Sequence, residues 1–87
     1  MPEICRFFGI VIHMYFDDHN PPHFHVEYQD CRTIIGIRDA ELLEGYLPAK
    51  QLKLVQAWTI LREEELLSNF RDLGLDIKQW RKIDPLL

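Results

Sequence analysis

Between Phe8 and Tyr28 every even-numbered position is apolar except across one break, Asp17-Asp18-His19-Asn20-Pro21-Pro22. Alternation of this kind demands a sheet with one buried face, because successive side chains on a strand point to opposite sides. Phe8, Ile10, Ile12, Met14 and Phe16 share one side of a strand expected over Arg6–Phe16. Phe24, Val26 and Tyr28 share one side of a second strand, His23–Tyr28, whose other side carries His23, His25 and Glu27. The break reads as a turn: Asp and Asn fold back onto their own backbone, and Pro cannot donate to a ladder. If the second strand returns antiparallel, the apolar sides must coincide, since a slip by one residue would bury the histidines and expose Phe24 and Val26. One register that satisfies this sets Tyr15 opposite His23 and His13 opposite His25.

The same matching extends the sheet. Gln29-Asp30-Cys31-Arg32 reads as a four-residue hairpin loop into a third strand, Thr33–Arg38. Val26 then pairs with Ile35 and Phe24 with Ile37, which places His25 against Gly36 and His23 against Arg38. A shorter fourth strand is expected over Glu41–Leu47, with no assignable register because Leu42 and Leu43 are both apolar. Pro48 suits the first position of a helix, and helix formers run from Ala49 to Phe70, with Gly74 as the stop.

At 100° per residue, Leu54, Ala57, Trp58 and Leu61 cluster on one side of that helix, while Leu52, Val55, Leu66, Leu67 and Phe70 cluster almost opposite. One helix on one sheet buries a single stripe. Either the helix bends near Arg62-Glu63-Glu64-Glu65, or the second stripe meets another chain. Trp58 reads as ordinary core. The expected architecture is α+β: an antiparallel sheet of about four strands in β-β-β-β-α order, with one long C-terminal helix on the face of Phe8, Ile10, Ile12, Phe24 and Val26. Residues 1–74 form the single domain. Residues 75–87 form a tail, extended or dependent on a partner, in which Ile77, Trp80 and Ile83 alternate with charged residues and Pro85 bars a further helix.

Composition narrows the function classes. The 87 residues leave room for one domain, and 47% apolar residues with 11% aromatics exclude a disordered segment. A net charge of −4 with scattered Lys and Arg argues against a protein that coats nucleic acid, although a locally basic site remains compatible with it. The N-terminus has no basic run ahead of an apolar one, and no apolar stretch approaches the roughly 20 residues of a membrane span. Cys5 and Cys31 form no C-x-x-C pattern, which excludes zinc-finger and thioredoxin-type sites and reads as two reduced thiols in a cytoplasmic protein.

Three of the four histidines lie between His19 and His25, so chemistry is sought there. Imidazole titrates near neutrality, and His19, His23 and His25 can supply an acid and a base while Arg38 stabilises a phosphate as charge develops in RNA cleavage. Alternatively, His23 and His25, spaced i and i+2 on a strand, are close enough to converge on zinc or another divalent transition metal, with His13, Glu27 or Asp18 completing the set. No Gly-rich phosphate loop and no G-x-S-x-G is present, which sets aside nucleotide-dependent and acyl-transfer chemistry. Partly buried sheet histidines also simply bond carbonyls and carboxylates, and a face bearing Tyr15, His23, His25 and Arg38 equally suits protein binding. Tyr15, Leu66, Phe70 and Trp80 are the interface candidates, for a second copy of the chain or for another protein.

Phe8-Gly9-Ile10-Val11-Ile12, Met14-Tyr15-Phe16, the run Asp18-His19-Asn20-Pro21-Pro22-His23-Phe24-His25-Val26, and later Leu43-Glu44-Gly45 with Leu47-Pro48 resemble the bacterial family of domain of unknown function 4160. The resemblance covers Met1 to about Leu67 and weakens from Asp72 onward. It implies a small single-domain protein, often encoded beside a second short protein in a pair resembling a toxin–antitoxin operon. It implies no reaction.

Overall fold

The computed structural model describes residues 2–16, 19–75 and 80–86. Five strands form one antiparallel meander in the order β1 (Glu3–Phe7), β2 (Ile10–His13), β3 (His23–Tyr28), β4 (Cys31–Gly36) and β5 (Leu42–Gly45), followed by α1 (Ala49–Leu61) and α2 (Glu63–Gly74). The class is α+β, as expected, with five strands in place of about four and two helices in place of one.

The extra strand comes from a hairpin inside the segment expected to be continuous. Phe8 and Gly9 both take positive φ, 50° and 78°, and two such residues make the tight turn whose twist matches antiparallel strands. Phe8 therefore leaves the core, 54% exposed, and Phe7 takes the inner place at 6%. Ile10, Ile12 and Met14 are buried, in keeping with the alternation.

Across the sheet the faces match as expected while one register differs. His13 pairs with His25. Between β3 and β4 only Gln29 and Asp30 form the turn, Gln29 at φ 52°, and Tyr28 pairs directly with Cys31. Shortening the loop by two residues shifts every pair by two: Phe24 meets Ile35, Val26 meets Thr33, and His23 meets Gly36 rather than Arg38. At β5, Ile34 pairs with Glu44 and Ile35 with Leu42, leaving Leu43 as the extra residue of a bulge. That bulge is why two successive leucines fit no simple alternation.

The helical segment breaks at Arg62, whose φ of −113° and ψ of 19° leave the helical region, and Pro48 is the N-cap of α1 rather than its first residue. Bending, the first of the two alternatives, thus accounts for the two apolar stripes. α1 buries Val55, Trp58 and Thr59, and α2 buries Leu66, Asn69 and Leu73. Trp58 is fully buried, its ring 5.6 Å from that of Phe7 and 5.7 Å from that of Phe24. Leu66, expected at an interface, is fully buried within the domain because the bend turns the second stripe inward.

Residues 80–86 are part of the same packed body. Ile83 N–H donates to Ile4 O at 2.9 Å, Trp58 Nε1–H donates to Asp84 O at 2.8 Å, and the Asn69 amide both donates to Arg81 O and accepts from Arg81 N–H. The core therefore continues past Gly74 to Ile83, which is 4% exposed. Ile77 lies outside the described residues.

Candidate functional site

The outer side of the sheet collects the histidines in a row of ring contacts. Period-two geometry puts His23 and His25 on one side of β3, their centroids 5.3 Å apart. Tyr15, just beyond β2, meets His25 edge-on at 4.2 Å, and His19, held by the turn, stands 5.8 Å from His23. Phe70 of α2 approaches His23 from the other direction at 5.6 Å. The Asn20–Pro21 peptide is cis. His23 Nδ1–H donates to Pro21 O at 2.6 Å, so the proton of the neutral ring sits on Nδ1 and its lone pair on Nε2. Exposure is lowest in the middle of the row: His23 is buried, with the half-buried His25 on one side and the open His19 on the other.

His13 faces the same side, with Nε2 3.7 Å from Glu27 Oε1 and a buried Nδ1 that has no hydrogen-bond partner. The expected metal set of His13, His23, His25, Glu27 and Asp18 does not come together as a cage. Asp18 lies outside the described residues, and among those described no group of three or more His, Cys, Asp or Glu side chains could hold a metal ion. His23 Nδ1 is engaged by Pro21 O, which leaves Nε2 as the nitrogen that ring can offer.

Arg38 is near the row but not opposite His23. Ile37 N–H donates to Pro22 O at 3.0 Å, which carries Arg38 past the end of β4 to the mouth of a groove of about 820 Å³. His19, Asn20, Arg38, Phe70 and Arg71 line that groove, so the turn and α2 form its two walls. A second, smaller groove of about 310 Å³ lies on the outer sheet face among Tyr15, His25, Glu27, Arg32, Ile34 and Glu44. Of the interface candidates, Tyr15 lines the smaller groove, Phe70 the larger one, and Trp80 is half-buried against the core.

Arg71 and Ile34 were not legible as site residues. Arg71 reaches the histidine turn only through the bend at Arg62, and Ile34 takes its place beside His25 only in the register with the shorter loop.

The chain matches the model of a family described as Domain of unknown function (DUF4160) over residues 9–71. It belongs to that family. In this DUF4160 protein the matched segment spans β2 to β5, α1 and α2 as far as Arg71, and so contains the whole row of rings, Arg38 and the larger groove except for its Gly74 and Leu75 end. No curated protein and no solved structure matches the chain.

Proposed function

We propose that this DUF4160 protein is one half of a bacterial, cytoplasmic two-protein module of the toxin–antitoxin kind, and that it works by binding a short partner protein across the outer face of its sheet. The supporting observation is the smaller groove, whose lining combines the aromatic and aliphatic side chains of Tyr15, His25 and Ile34 with the charged ones of Glu27, Arg32 and Glu44. A desolvated apolar centre inside a polar rim is the usual anatomy of a protein interface, and aromatic and Arg side chains carry much of its energy. Co-expression with the short protein encoded beside the gene tests this. The wild type retains the partner through purification, and Tyr15→Ala combined with Ile34→Ser weakens the complex by about tenfold or more. Undiminished retention removes the reading.

A second reading, RNA cleavage, draws on the contact between His19, His23 and His25 near Arg38. The exposed His19 and half-buried His25 exchange protons with the substrate, and the buried His23 orients the row from within. His19→Gln with His25→Gln then abolishes growth inhibition on overexpression, whereas unchanged inhibition excludes cleavage by these groups.

A further inference from the structure

The larger groove differs from the other described grooves in its charge. The chain as a whole carries −4, yet among the described residues two guanidinium groups, Arg38 and Arg71, line this groove against one carboxylate, Glu64. The other described grooves hold more carboxylates than Lys and Arg: two against one on the outer sheet face, four against three beside the tail, and three against one at the helix junction. Arg38 is exposed and makes no hydrogen bond or ion pair among the described residues. Arg71, with its side chain 69% exposed, makes long contacts of 3.5 Å to Ser68 Oγ and Asp72 Oδ1. Phe70 and Leu67 line the same groove, and Phe70 gives it an aromatic surface.

Two cations and an aromatic ring along one open groove are the components with which single-stranded nucleic acid is held: guanidinium groups on phosphates and a ring against a base. We propose that the groove between the 19–22 turn and α2 binds single-stranded RNA, with Arg38 and Arg71 on successive phosphates and Phe70 against a base. His19, on the opposite wall, then lies where the sugar–phosphate backbone passes. The site takes its ligand class from the cleavage reading above and rests on it for that choice, but it can hold RNA whether or not the histidines cut it.

Binding is therefore measured apart from cleavage, by fluorescence anisotropy of the full chain with a labelled single-stranded RNA of about eight nucleotides. Two phosphate contacts give a slope of log K against log salt of about −1.4, which falls to about −0.7 in Arg38→Ala or in Arg71→Ala. Phe70→Leu weakens binding by about tenfold without changing the slope. Lys53→Ala, an exposed cation of α1 outside the groove, leaves binding unchanged. Both arginines are exposed, so their variants fold, which circular dichroism checks. No RNA binding at low salt overturns the site, as does binding that survives in the double arginine variant. An acidic peptide that binds as tightly as the RNA also overturns it, because the cations would then serve a protein. RNA binding without growth inhibition leaves the site standing and removes cleavage; growth inhibition without RNA binding does the reverse.

Discussion

The two sides of β3 obey different rules. On the inner side Phe24 and Val26 are 0% and 1% exposed, and Phe24 packs against the fully buried Trp58. On the outer side His23, His25 and Glu27 pass from buried at the end of the strand to half-open along the sheet. β4 repeats the contrast with one residue type, since Ile35 is fully buried and its neighbour Ile34 lines the outer groove. The inner side is governed by volume and the outer by chemistry, so a substitution should cost stability on one and binding on the other.

The largest expected effect is on the inner roof. Trp58→Ala removes the ring that joins Phe7 to Phe24 and lowers unfolding stability by about 3–5 kcal/mol, a large part of what so short a chain has, as urea denaturation would show. The adjacent isoleucines sharpen the comparison: Ile35→Ala costs about 2–5 kcal/mol, whereas Ile34→Ala costs about 1 kcal/mol or less. Equal losses at the two positions would break it.

Smaller effects concern rates and pH. Burial pushes the Cys5 thiol up, and the thiolate is the reactive form, so an alkylating reagent modifies the half-buried Cys31 first and Cys5 only on unfolding. Mass spectrometry of partly modified protein gives the order. At the exposed start of β1, the hydrogen bond from Arg6 holds the Glu3 carboxyl below its ordinary value. A carboxyl lowered on folding adds stability above its unfolded value and loses it as pH falls through the lowered one. Glu3→Gln is therefore slightly less stable than wild type at pH 7, and the difference vanishes in acid; a gap that persists there contradicts this origin.

How much of this was legible follows from what alternation can detect. The His13–His25 pair could be read because apolar faces must coincide, and a slip of one residue breaks that match. A slip of two does not, so face matching accepted a four-residue loop after Tyr28 and set Arg38, in place of Gly36, against His23. Phe8 fitted the inner pattern by parity, and only Gly9 hinted at the turn that expels it. The two helical stripes allowed the break at Arg62 as one of two outcomes. Phe70 and Arg71 reach the histidine turn through tertiary packing, which leaves no local trace in the sequence.

If the outer face binds the partner, as proposed, the inner face serves only as its support. Isothermal titration of the proposed short partner protein into wild type, Tyr15→Ala/Ile34→Ser and Ile35→Val, each with its melting temperature measured, tests it most directly. The account predicts that the outer double variant melts close to wild type and loses about tenfold or more in affinity, while Ile35→Val melts lower and binds as wild type does. Undiminished affinity in a folded Tyr15→Ala/Ile34→Ser variant would contradict it.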